Sequence, residues 1–256
     1  MTLEEYHKKF GAFAKFERED GVITITLHTD NAEFKLSSEA LGLFSQLWTD
    51  LNADMENKVS ILTGTGDTFC AEMQMGSFGD TTSADFWYRA YSRRTHSIGH
   101  AEMDLPMIAA VNGPNLIHPD LSLLCDIVLA VDAPEIFADR SHVSTGIVPG
   151  DINHVIWTEL FGYMRGKYLL LTEQGVSTRE CYERGVVSEI LERDALLPRA
   201  KALAHQLARL RPLMLRYTKM ALNFKLKQIV REGVDTGMLL EALGGQDWKG
   251  VPPKIR

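Results

Sequence analysis

A chain of 256 residues, 45% hydrophobic and 24% charged, has the balance of an ordinary soluble globular protein and the length for one large domain, or for one domain with a helical appendage. Its formal net charge of −7, with no compensating basic run, argues against nucleic acid or an anionic membrane as the main partner. No apolar stretch approaches a membrane span, Met1–Phe10 has no signal-peptide core, and Cys70, Cys125 and Cys181 show no metal-type spacing, so a reducing, cytoplasmic location without disulfides is expected.

In chain order, Phe13–Thr29 predicts two short strands around the turn Glu19-Asp20-Gly21, the second being the alternating run Val22–Leu27. Ser37 or Ser38 caps a helix with apolar positions Leu41, Phe44, Leu47, Trp48 and Leu51. Val59–Gly64 reads as a strand and Ala84–Ala101 as a polar helix. Met107–Val111 is a buried strand broken by Asn112-Gly113-Pro114. A helical Leu121–Cys125, a strand Asp126–Ala130 and a short strand Ile136–Ala138 follow. Strand–loop–helix alternation favours right-handed crossovers and a parallel sheet. Strands end near Leu191, and the remainder is helical in pattern: Ala200–Arg209, then Leu213–Leu243 with a break near Gly233. The expected division is a core over residues 1–191 and a helical region over 192–256.

Four segments together carry a family resemblance: Ile61-Leu62-Thr63-Gly64-Thr65-Gly66 with Phe69-Cys70-Ala71-Glu72, then Ile108–Gly113, then Cys125–Ala130, then Gly146-Ile147-Val148-Pro149-Gly150. Each alone is an ordinary strand and turn. In this order and spacing they resemble the crotonase (enoyl-CoA hydratase/isomerase) superfamily from about Phe13 to Asp247. The resemblance implies an α/β fold, a crotonase-like ββα superhelix with parallel sheets and a C-terminal helical trimerisation region. It also implies an oxyanion hole of two backbone amides, which fall near Met73 and near Ile117 or His118. Fixed amide dipoles of this kind stabilise a developing enolate without reorganising.

Hydratases of this superfamily carry a glycine-rich turn after Asn-Gly and two catalytic glutamates. Here the turn reads Pro114-Asn115-Leu116-Ile117-His118-Pro119-Asp120, with Asp120 at the first glutamate position and His142 at the second. Water addition to a carbon–carbon double bond uses that carboxylate pair, so hydratase chemistry is not expected. These departures resemble the β-diketone hydrolase (6-oxocamphor hydrolase) branch. That branch has a histidine at the His142 position, an aspartate nine residues on (Asp151), a His-Pro-acid turn (His118-Pro119-Asp120) and a C-terminal glutamate (Glu241). An active-site histidine that the branch carries in the first helix is absent from Ser37–Leu51.

Each candidate also has a plainer role. Asp151 orients His142 or caps the helix after it; His118 donates to a substrate carbonyl or packs beside Pro119. Asp120 is a general base or a helix-start carboxylate, and Glu241 orients water or lies on a solvated face. His154 is read as structural. No short ligand spacing supports a metal, and no Gly-x-Ser-x-Gly elbow supports a serine hydrolase. The expected activity is a cofactor-independent retro-Claisen hydrolysis of a 1,3-diketone, with an acyl-CoA hydratase or isomerase, or a catalytically silent subunit, as alternatives. The resemblance further implies a homotrimer or dimer of trimers. A CoA site would need basic residues in Asp30–Ser38, where Lys35 is alone.

Overall fold

Ala14–Glu19 (β1) and Val22–Leu27 (β2) pair antiparallel across Asp20 and Gly21, both in the left-handed region at φ 50° and 85°. Two consecutive positive φ values are what a tight hairpin turn demands. The structure is a computed structural model that describes residues 1–74 and 94–247. Ahead of the hairpin lies a helix, α1 (Leu3–Phe10), closed by a reciprocal Thr2/Glu5 capping box. It buries Tyr6 and Phe10 against Phe16.

Lys35–Leu36 (β3) leads into α2 (Ser38–Ala53), whose N-cap is Ser37, accepting from the Ala40 amide at 3.0 Å. Val59–Gly64 (β4), Glu72–Met73 (β5), Met107–Val111 (β6), Ile127–Val131 (β7) and Glu189–Leu191 (β8) complete the strands. The main sheet runs β1-β2-β4-β6-β7-β8, parallel throughout after the first pair, and β3 pairs β5 in parallel beside it. Every residue of β6 is buried, as expected of a central strand covered on both faces.

Beyond the sheet, single bridges tie Cys70 to Asn115, Asn115 to Phe137 and Phe137 to Val176. The short strand expected at Ile136–Ala138 is therefore a rung of this side stack rather than a strand. Asn112 explains the Asn-Gly pair: its side chain donates to the Gly66 and Thr68 carbonyls and accepts from the Gly64 amide, and Gly113 abuts the Asp67 carbonyl too closely for a Cβ.

Of the polar helix expected at Ala84–Ala101, residues 84–93 lie outside the described residues. Residues 94–102 are helical (α3). Asp120–Leu123 (α4), Asn153–Phe161 (α5), Tyr163–Thr172 (α6) and Thr178–Glu183 (α7) fill the later crossovers. After β8 come α8 (Arg193–Ala208), α9 (Pro212–Leu222) and α10 (Phe224–Asp247). The strands end at Leu191 as expected, yet α8 packs on β2, β4, β6 and β7, so the core continues through Ala208.

The break expected near Gly233 is corrected to Asn223, between α9 and α10. Gly233 does not end a helix. It lies against the Val155 side chain, and no Cβ would fit there, so the glycine permits a close crossing.

Candidate active site

The candidate residues follow the carboxyl ends of β6 and β7, on segments that the Asn115 and Phe137 bridges fix side by side. After β6 the chain turns with the Leu116 and Ile117 amides both donating to the Cys70 carbonyl, at 2.8 and 3.1 Å. His118 comes next, in the left-handed region at φ 47°, and the turn finishes at Pro119 and α4. Histidine is among the few non-glycine residues that enter that region readily, so one residue makes the turn that a glycine would otherwise make. The expected Ile117 donor is thereby corrected: its N–H is committed to Cys70, and the His118 amide is the remaining candidate. On the other wall the Gln74 amide bonds the Leu36 carbonyl at 2.8 Å. Parallel-ladder geometry then directs the neighbouring Met73 N–H away from β3.

Past β7, the chain carries Asp139, Ser141 and His142 and then Asp151, which precedes α5. Ile152, the α5 N-cap residue, has φ 128°, a conformation that costs a β-branched residue about 1–3 kcal/mol. It is wholly buried, so packing holds the strain in place. The N-cap position of α5 is Ile152, whose side chain makes no cap hydrogen bond, and Asp151 lies one residue outside it.

Six buried ionisable groups form one string. His142 Nδ1 lies 2.8 Å from both oxygens of Asp139, and its Nε2 lies 3.3 Å from Asp151 Oδ1. Asp151 Oδ2 lies 3.5 Å from His118 Nδ1, and that nitrogen is 3.2 Å from Asp120 Oδ1. Asp120 Oδ2 is 3.0 Å from His96 Nε2, and Trp48 Nε1 donates to His96 Nδ1 at 3.0 Å. The Ser141 hydroxyl donates to Asp139 at 2.6 Å. The rings of His118 and His142 stand edge to face, 5.5 Å between centroids.

Burial alone would push both imidazoles down. For His142, Asp139 and Asp151 reverse this and hold it well above its ordinary value. For His118 the Asp151 charge and the Asp120 hydrogen bond raise it in the same way. Burial would raise Asp120, but hydrogen bonds from His118 and His96 hold it well below the usual carboxylate range.

The structure thus brings His142, Asp151, His118 and Asp120 together. Two members were missed: Asp139, which holds the His142 Nδ1, and His96. The i, i+3 spacing of Asp139 and His142 was a faint signal for the first; nothing in a polar helix marked the second. Glu241 is fully buried against Gly150, one residue before Asp151, so it lies on no solvated face. His154 turns its two nitrogens to the Pro149 and Gly233 carbonyls, at 2.9 and 3.1 Å, tying the Asp151 loop to α10.

His118, His142 and Asp151 place ligand-type atoms within 4.8 Å of one another. An ion there would displace the protons that both imidazoles, with their raised proton affinity, hold.

The enoyl-CoA hydratase/isomerase family model matches residues 17–241. Among solved structures, a β-diketone hydrolase from the cyanobacterium Anabaena sp., bound to (S)-3-oxocyclohexyl acetic acid, superposes with a TM-score of 0.91. It is 33% identical in sequence, and the match covers 96% of this chain and 99% of that one. A probable enoyl-CoA hydratase of Mycobacterium leprae is 28% identical over 219 residues, 82% of this chain and 80% of its own length. A 4-chlorobenzoyl coenzyme A dehalogenase of Arthrobacter is 26% identical, over 75% of this chain and 71% of its own.

Proposed function

The chain belongs to the enoyl-CoA hydratase/isomerase family, and from that premise we propose that it is a cofactor-independent C–C bond hydrolase acting on a cyclic 1,3-diketone. The observation that carries this reading is the buried string around Asp151, in which His142 is gripped by two carboxylates. Such a histidine is suited to hold a proton and deliver it to carbon. A hydratase needs a carboxylate free to act as base, whereas Asp120 is held ionised between two imidazoles and is a poor proton acceptor.

Water adds to one carbonyl carbon, losing a proton to the site. The bond from that carbon to the central carbon breaks, and its electron pair passes into the second carbonyl as an enolate. The Met73 and His118 amides hold the enolate oxygen. His142, protonated and oriented by Asp139, delivers a proton to the central carbon, leaving a carboxylic acid and a ketone. Asp151, shared between His142 and His118, keeps the two rings in register, and Glu241 positions the water.

The acid in the Anabaena structure suggests the substrate shape. Rejoining its carboxyl carbon to the ring carbon beside its ketone, with loss of water, gives a bicyclic 1,3-diketone. The acyl-CoA alternative has little support in the region after β2, where Lys35 is ion-paired with Glu72 at 2.7 Å. Incubation with cyclic 1,3-diketones and acyl-CoA thioesters in parallel distinguishes the two readings. A ring-opened keto acid is expected from the first set. Turnover of enoyl-CoA to a hydroxyacyl-CoA with no diketone cleaved would reject the proposal.

A further inference from the structure

We propose that His96 is a positioning residue that acts through Asp120 on His118, and that Trp48 fixes the tautomer in which it does so. Only the catalytic consequence rests on the diketone reading.

The indole nitrogen is a donor and never an acceptor, so at 3.0 Å it makes His96 Nδ1 the acceptor. The proton of the neutral ring then sits on Nε2, where it donates to Asp120 Oδ2 at 3.0 Å. Asp120 Oδ1 faces His118 Nδ1 at 3.2 Å. One donor on each oxygen fixes the rotation of the carboxylate. The fixed carboxylate in turn holds His118 with Nδ1 protonated and its ring in one orientation. His118 is also the residue with left-handed backbone whose amide is assigned to the oxyanion hole, so an anchored ring steadies that amide.

The origin of the string is rigid. Trp48 stacks on Phe44 at 5.2 Å and on His100 at 4.2 Å, and all four rings, His96 included, are buried. The titratable groups around it are Asp120 and His100 beside His96, Lys219, whose charge acts on His100, Cys70 near Asp120, and Asp151 and His142 beyond His118. Trp48 lies in the first long helix, which offers no histidine. The support expected from that helix arrives in two parts, an indole from α2 and an imidazole from α3.

The test uses the full-length protein with His96→Phe, His96→Gln and Trp48→Phe. The first readout is the titration of the His118 imidazole by nitrogen-15 NMR, which needs no substrate. Removing the His96 donor leaves the Asp120 charge less neutralised. His96→Phe should therefore raise the proton affinity of His118 by roughly threefold or more. It should also lower kcat on the diketone by roughly ten- to a hundredfold with little change in KM, the usual worth of a partner that orients a functional group.

Glutamine carries an acceptor and a donor on one amide, so His96→Gln should restore the titration and much of kcat. Trp48→Phe keeps an aromatic ring but removes the N–H, and should move both readouts in the direction of His96→Phe, by less. If His96→Phe fails to fold, the Trp48→Phe titration decides. A folded His96→Phe protein with unmoved His118 titration, or glutamine no better than phenylalanine, overturns the proposal. A shifted titration in a protein that cleaves no diketone supports the coupling and rejects the reaction instead.

Discussion

A histidine held between two carboxylates is charged because the alternative leaves two buried negative groups facing a neutral ring. Asp139 and Asp151 occupy both nitrogens of His142, and in the proposed reaction the ring must give up one of those protons and regain it. His142→Ala should lower kcat by roughly 10²–10⁴-fold, the range for a positioned acid or base. Asp139→Asn should lower it as well, because an amide brings no charge and permits the wrong tautomer. Since the two act as one unit, the double variant should be scarcely slower than His142→Ala alone, and losses that simply multiply would show that they work separately.

The same groups set the pH response of folding. The folded value of His142 is raised, so its stabilisation is fully present below its unfolded value of about 6.5 and disappears as pH rises through the folded value. Asp120 is depressed, so its contribution is present above about 3.9 and disappears as pH falls toward the folded value. Denaturant melts from pH 4 upward should show the wild type losing stability relative to His142→Gln on the alkaline side only; a pH-independent difference would reject the assignment.

At the scale of elements, the site depends on how closely α10 approaches the loop before α5. Gly150 and Gly237 place backbone against backbone, and a Cβ on either would overlap the other's carbonyl. Glycine inside a helix costs about 1 kcal/mol relative to alanine, so α10 gives up local propensity for this contact. Glu241 follows Gly237 by one helical turn and meets Gly150 on the same face. Gly237→Ala should therefore raise helix propensity yet destabilise the protein by about 1–3 kcal/mol, as overpacking does, and lower kcat through displacement of Asp151. Equal or greater stability in urea would mean that α10 can move away without harm to the site.

At the scale of the whole molecule, the polar and apolar faces of the last helices point to assembly. α9 docks through buried Arg216 and Lys219, which reach the Asn52 and Leu105 carbonyls, while Leu213, Met220, Leu239 and Leu243 are 51%, 44%, 60% and 55% exposed. Surfaces of that character in a chain of this size call for a partner, and we expect a trimer or a dimer of trimers. Light scattering at micromolar concentration should give the mass of three or six chains, and a monomer would contradict it. Free CoA should bind weakly, given the net charge of −7 and the pairing of Lys35 with Glu72. Saturable micromolar binding in a calorimeter would favour the acyl-CoA alternative. No described helix is long and apolar enough to cross a membrane.

Local chemistry is legible in a sequence wherever a residue's role depends on its near neighbours. The Asp20-Gly21 hairpin, the Ser37 cap, the uniformly apolar β6 and the Asn112-Gly113 turn each follow from propensity and periodicity, and together with the order of motifs they determined the fold. His118, Asp120, His142 and Asp151 were legible by resemblance, since they lie close along the chain within two motif-bearing turns. What only the tertiary structure decided is which groups meet across long separations. His96 reaches Asp120 from another crossover and takes its tautomer from Trp48, 48 residues away. Asp139 takes the His142 Nδ1 while Asp151 faces the Nε2, a division between two carboxylates that spacing along the chain does not fix. The Ile117 amide went to Cys70 because the side stack brings that carbonyl beneath the turn. Hydrogen-bond partners are chosen by distance in space, and spacing along the chain determines that distance only within a turn or two.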